Sequence, residues 1–134
     1  MSTMNYRQVI EGNAQTLRQL HARLHETCLE RDTSPEKREL WSQACAEFHD
    51  RYDELAFPGG FQGAYERILT GDEETIEVAL CFVEVRPYFF RSGYIFVRLI
   101  PKLGRTTLTE SQSDRFDIFK KRLALWRQKR KESR

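Results

Sequence analysis

The stretch GDEETIEVALCFVEVRP, residues 71–87, decides the fold. Gly71 and Asp72 read as the stop of one helix and the cap of the next, with Glu73 and Glu74 at the positive end of the new helix dipole. Beyond them Ile76, Ala79, Leu80 and Val83 share one helical face, and Val78, Phe82 and Val85 share another. A helix ending near Val85 therefore asks for burial on two sides, which makes it the centre of a domain, and Pro87 interrupts it.

On the C-terminal side, Tyr88 to Leu103 is again rich in aromatic and aliphatic residues. β-Propensity alone allows a strand over Ile95 to Ile100, but no partner strand is evident, so a helix ending or kinking near Pro101 is expected. Thr109 with Gln112 forms a capping box for a closing helix from Glu110, which packs through Phe116, Phe119, Leu123 and Trp126. Residues 127–134 contain no apolar side chain, and the expectation is that they overhang the domain and fray.

On the N-terminal side, Phe57, Pro58, Gly59 and Gly60 break the pattern, and a short helix over about Gln62 to Leu69 follows. Further back, Leu40, Trp41, Ala44, Cys45, Phe48, Tyr52 and Leu55 line one side of a helix that starts with Ser34 as cap and Pro35 in the first turn. Before it, Val9, Ile10, Leu17, Leu20, Leu24 and Cys28 mark a long amphipathic helix from Tyr6, and the short connection makes the two antiparallel neighbours. The predicted fold is all-α, a compact bundle of five or six helices in one domain over 1–134. It has an N-terminal antiparallel α-hairpin, hydrophobic central helices and a basic C-terminal helix.

A chain of 134 residues, 40% apolar and 31% charged, is long enough to bury a core without disulfides or metal. The longest apolar run, Val78 to Val83, is too short to span a bilayer, and the first thirteen residues carry no secretory pattern, so a cytoplasmic location is expected. Cys28, Cys45 and Cys81 then read as reduced thiols within apolar helical patterns.

The net charge of +2 conceals a split. Residues 115–134 hold nine Lys or Arg against two Asp or Glu, while the 114 before them hold 13 against 18. Segregated charge of this kind points to an anionic partner or to an acidic surface of the protein itself. Lys120, Lys121, Arg122, Arg127, Lys129, Arg130 and Lys131 share the last helix with Ile118 and Leu125, seven residues apart on a face away from the packing stripe. Two stripes on one helix suggest two contacts, one of them with an acidic protein, nucleic-acid phosphates or, least favoured, a membrane surface. Ile118 and Leu125 also suit a homo-oligomer contact. The plain alternative is a solvated helix end whose cations answer the helix dipole.

The most distinctive local string is RPYFFRSGY, residues 86–94, with two guanidiniums and four aromatic rings. Arg86, Tyr88, Arg91 and Tyr94 read as a contact surface for a protein or for stacked bases. The alternative is an inter-helix turn whose aromatics plug the core while Arg86 and Arg91 pair with acidic residues.

Catalytic constellations are weaker. His21 and His25 on the first helix and Cys45 and His49 on the second are i, i+4 pairs at similar heights of the hairpin, a geometry that can build a tetrahedral zinc site. Leu20, Leu24 and Phe48 already explain that seam, so no metal or other cofactor is expected. Cys45 with a nearby His makes a thiol pair without an evident oxyanion hole. Gly59, Gly60 and Gly63 lack the Lys and Ser or Thr of a phosphate loop, and the carboxylates of the hairpin read as a solvated face. The expected function is a non-enzymatic interaction module, an adaptor, regulator or immunity-type inhibitor, that holds an acidic protein through Arg86 to Tyr94 and the basic helix. Nucleic-acid binding is the alternative, and a metal-dependent or thiol enzyme comes last.

Overall fold

The computed structural model describes residues 5–133. They form six helices: α1 (Tyr6–Glu30), α2 (Pro35–Ala56), α3 (Ala64–Leu69), α4 (Glu73–Val85), α5 (Ser92–Arg105) and α6 (Glu110–Glu132), with no strand among the described residues. Four of the six starts, those of α1, α2, α4 and α6, follow from side-chain caps that satisfy amide groups the helix itself leaves open. Asn5 accepts from the Gln8 amide at 3.2 Å, Ser34 from Lys37 at 3.1 Å and Asp72 from Thr75 at 3.0 Å. Thr109 and Gln112 close a reciprocal capping box at 3.0 and 3.1 Å.

Helix α4 is the centre. Thr75, Ile76 and every residue from Val78 to Val83 are buried, and α1, α3, α5 and α6 all pack on it. Its partners contribute Ile10, Ala14 and Leu17 from α1, Ile68 from α3, Ile95, Phe96, Leu99 and Leu103 from α5, and Phe116 and Leu123 from α6. The hairpin α1–α2 closes on Ala44 and Phe48, but its outer end is less covered. Leu40 is exposed there, and Leu29 is 87% exposed.

Helix α3 ends in a Schellman motif, with the Asp72 amide donating to the Arg67 carbonyl at 2.9 Å and the Gly71 amide to Ile68 at 3.1 Å. Gly71 sits at φ 89°, in the left-handed region. The loop before α3 is held from both sides. Arg67 donates to the carbonyls of Gly60 at 2.7 Å and Gln62 at 3.0 Å, while the Asp53 carboxylate accepts from the Gln62 amide at 2.7 Å.

One expectation is corrected in part. Of a helix ending or kinking near Pro101, the ending is overturned, since α5 continues to Arg105. Pro101 and Val97 are both exposed and one turn apart, so the carbonyl that loses its donor lies on the side that water reaches. Helix α6 runs to Glu132, with residues 124–133 all exposed. Arg134 lies outside the described residues.

No helix among the described residues is long and apolar enough to cross a membrane. A Cβ at Gly71 would meet no atom within 4 Å, so the cost of Gly71→Ala is purely one of backbone conformation. The variant is expected to lose about 1–2 kcal/mol in urea unfolding, and Gly71→Asn less than that.

Candidate functional site: an arginine and aromatic face

The turn between α4 and α5 is built from two non-glycine residues in the left-handed region, Arg86 at φ 50° and Arg91 at φ 68°. Such a conformation costs a side-chain-bearing residue on the order of 1–3 kcal/mol, and it persists only where surrounding contacts enforce it. Those contacts are present. The Arg86 amide caps α4 by donating to the Phe82 carbonyl at 2.8 Å. Ser92 and Phe89 exchange hydrogen bonds at 3.0 and 3.1 Å, with Ser92 and Phe89 both buried. Arg18 of α1 donates to the Tyr88 carbonyl at 2.7 Å, and the Tyr52 hydroxyl of α2 donates to the Phe90 carbonyl at 2.8 Å.

The alternating fate of the four turn residues follows. Pro87 and Phe89 point into the core, Phe89 against Phe82, while Tyr88 and Phe90 face out. Tyr88 is 78% exposed. Phe90 stacks on His21 with ring centroids 4.9 Å apart, and His21 in turn meets Phe48 and His25. Burial first, and the neighbouring His25 second, push the His21 imidazole below its ordinary value.

Arg86 joins the two segments that the sequence singled out. Its guanidinium lies 4.5 Å from the ring centroid of Phe96 on α5 and 4.5 Å from that of Trp126 on α6. Arg130 reaches the same indole at 5.3 Å. A groove of about 660 Å³ runs along the turn, lined by Arg18, His21, Pro87, Tyr88, Phe90 and Val97 among others. It meets two smaller grooves at Arg86 and Phe96. One holds Trp126, Arg127, Arg130 and Lys131, and the other Glu84, Arg115, Ile118 and Arg122.

The expected site residues are therefore only partly united. Arg86, Tyr88, Arg91, Ile118, Arg122, Arg127 and Arg130 line this connected set of grooves. Tyr94 instead faces a separate cavity with Tyr52, Tyr65 and Arg98. Lys120 stacks over Phe116 at 4.8 Å and pairs with Asp117 at 3.5 Å, away from these grooves. Lys121, Leu125 and Lys129 are exposed on α6 without lining any of them. Sequence reasoning assigned Trp126 to the packing stripe and did not single out Phe96. The fit of Trp126 to the Phe116, Phe119 and Leu123 spacing concealed its exposure.

Charge sharpens the picture. Arg86, Arg91, Arg122, Arg127, Lys129, Arg130 and Lys131 form no ion pair among the described residues. The pairing of Arg86 and Arg91 with body carboxylates, one reading of the sequence, is thus absent. Arg115, the first cation of the basic segment, is half-buried and paired. It donates to Glu77 at 2.9 Å and to Glu84 at 2.6 Å, and Arg7 adds a second partner to Glu84 at 2.8 Å. Burial opposes ionisation of Glu77, but hydrogen bonds from Gln112, Cys81 and Arg115 outweigh it and hold the carboxyl below the usual range. Burial and the Glu77 carboxylate push the Cys81 thiol up to about 11, which keeps it protonated and unreactive.

His21, His25, Cys45 and His49 do not converge. The His21 and His25 rings touch edge to face at 4.5 Å, but no group of three or more His, Cys, Asp or Glu among the described residues is placed to hold a metal ion. The i, i+4 spacing put each pair on one face, yet the Phe48 ring meets both His21, at 5.4 Å, and His49, at 6.5 Å. No protein-family model, curated protein or solved structure matches the chain.

The lowered pKa of His21 has a defined sign in stability. The folded state binds this proton more weakly than the unfolded one, so the contribution is complete above the ordinary value of 6.5 and declines as pH falls below it. Thermal stability is expected to drop from about pH 7 to about pH 5. His21→Phe, which keeps a ring against Phe90, is expected to flatten that part of the profile.

Proposed function

We propose that the chain is a non-enzymatic interaction module whose arginine and aromatic face holds an acidic partner protein. The observation that carries this reading is the presence of arginine at both left-handed positions of the α4–α5 turn. Glycine would adopt either conformation at no steric cost. A turn that bears arginine twice under strain, with both guanidiniums on aromatic rings but neither in an ion pair among the described residues, leaves two charges that an anionic partner can meet.

The composition of the face supports a protein partner over a phosphate backbone. Val97, Ile118 and Trp126 are exposed between the cations, and apolar area of this kind gains from burial against another protein. Arg, Tyr and Trp are also the residues that dominate binding energy at protein interfaces. Partner carboxylates would meet Arg86, Arg122, Arg127 and Arg130, where bidentate pairing is available. A small adaptor, regulator or enzyme inhibitor fits this description. Nucleic acid is the second reading, favoured by the exposed Tyr88 and Trp126 rings beside guanidiniums, an arrangement that suits base stacking.

Arg86→Gly and Arg91→Gly separate binding from folding. Both variants are expected to be as stable as the parent to within about 1 kcal/mol, because relief of backbone strain offsets lost stacking. Capture of an acidic protein from nuclease-treated native extract is expected to weaken by about tenfold or more in each, and in a chain ending at Gln128. Recovery that disappears with nuclease, or Trp126 fluorescence in a Trp41→Phe background that responds to single-stranded DNA and not to polyglutamate, would transfer the face to nucleic acid.

A further inference from the structure

Behind Arg91 lies a second cavity, of about 370 Å³, walled by Tyr52, Phe61, Tyr65, Arg91, Tyr94 and Arg98. We propose that it binds a nucleoside monophosphate, with the base against the tyrosine and phenylalanine rings and the phosphate on the two guanidiniums. This goes beyond the partner face. Arg91 is the one residue shared between this cavity and the main groove of that face.

The volume falls at the lower end of the range for small-ligand sites, about 300–1,000 Å³. The lining is unusual in what it contains. Four of its side chains are aromatic, its only charges are Arg91 and Arg98, and no carboxylate lines it. Neither guanidinium forms an ion pair among the described residues. Two unneutralised cations facing one aromatic space match an aromatic ring that carries an anion.

The rings are arranged as a cleft. Phe61 meets Tyr65 edge to face at 5.5 Å, and Lys102 covers the Tyr65 ring at 4.3 Å, adding positive charge next to the cavity. Tyr52 is fixed as a wall, since its hydroxyl is committed to the Phe90 carbonyl. Tyr94 is 68% exposed at the rim, a large ring with little to pack on, free to cover a base. Burial pushes the Tyr65 phenol up while Arg98 beside it pulls the other way, so that phenol stays protonated and offers a donor as well as an acceptor.

Hydroxyl groups in an aromatic cleft select among aromatic anions. The edge of a nucleobase has donors and acceptors for Tyr65 and Tyr94, whereas the ring of a phosphotyrosine has none, so its burial would strand them. The position of Arg91 supports a ligand at this place. It is the N-cap of α5, where a cation opposes the helix dipole and where Ser, Asp or Asn would cap, and it makes no capping hydrogen bond. A bound phosphate turns both penalties into attractions.

Calorimetric titration of the full chain at low salt tests the assignment with four probes: AMP, adenosine, inorganic phosphate and phosphotyrosine. AMP is expected to bind, with adenosine and phosphate each weaker by about tenfold or more, because each supplies only half of the contacts. Arg98→Gln and Tyr94→Ala are each expected to weaken AMP by about tenfold. Both side chains are exposed, so the variants should keep the parental melting temperature, which is measured alongside. Trp126→Ala and Arg130→Glu, which alter the partner face, should leave AMP binding unchanged. The proposal is overturned by absence of binding at millimolar AMP, by equal affinity for AMP and phosphate, or by indifference to Arg98→Gln and Tyr94→Ala. Preference for phosphotyrosine would overturn it in favour of a phosphopeptide site.

Discussion

Helix α4 is apolar around most of its circumference, and the need to cover it places the other elements. One helix with buried residues from Thr75 to Val83 exposes too much apolar area for a single neighbour to remove, so α1, α3, α5 and α6 enclose it from different sides. The exception to its apolar run is Glu77, and the bundle answers that one carboxylate with Arg115 and Gln112 of α6. A half-buried charge is tolerable only when paired. The pair therefore ties α6 to α4 in register, and it carries the indole of Trp126, three turns further along, to Arg86.

The same dependence explains what was legible in the sequence and what was not. Local signals fixed the starts of α2, α4 and α6, since Ser34, Asp72 and Thr109 act on amides three residues away. Apolar spacing fixed which faces turn inward, apart from Leu40, which fits its stripe but lies where the hairpin has no further neighbour, and Trp126, which fits the α6 stripe but stays exposed. The continuation of α5 through Pro101 was hidden because it depends on which side of the helix faces water. The left-handed backbone at Arg86 and Arg91 was hidden because arginine carries no local preference for it; Arg18, Tyr52 and Ser92 impose it from three different helices. Of the candidate site, the residue types were visible and their partition was not. Nothing near Lys120 in sequence says that it bends to Phe116, or that Tyr94 opens on a different cavity from Tyr88.

The uncompensated cations do not all have the same explanation. Lys129, Arg130 and Lys131 occupy the last turns of α6, where the negative end of the dipole favours positive charge whether or not a partner exists. Arg86 stands at the C-terminal end of α4, so the dipole also accounts for its charge, though not for its left-handed backbone. An arginine one residue earlier would have the same electrostatic benefit in ordinary helical geometry.

Arg91 has neither excuse. It stands at the positive end of α5, in a conformation that suits glycine, at a position that suits a small acceptor side chain, and it has no carboxylate partner among the described residues. Its one internal compensation is the face of Phe90, 5.2 Å from the guanidinium, a contact on the order of 1 kcal/mol at an exposed site. That is smaller than the combined cost of the strained backbone and the missing cap, each about 1 kcal/mol or more. The balance at this residue is negative for folding alone. Arg91 thus burdens the fold while lining both the turn groove and the tyrosine cavity, and the anion recognition proposed above is what would offset that burden.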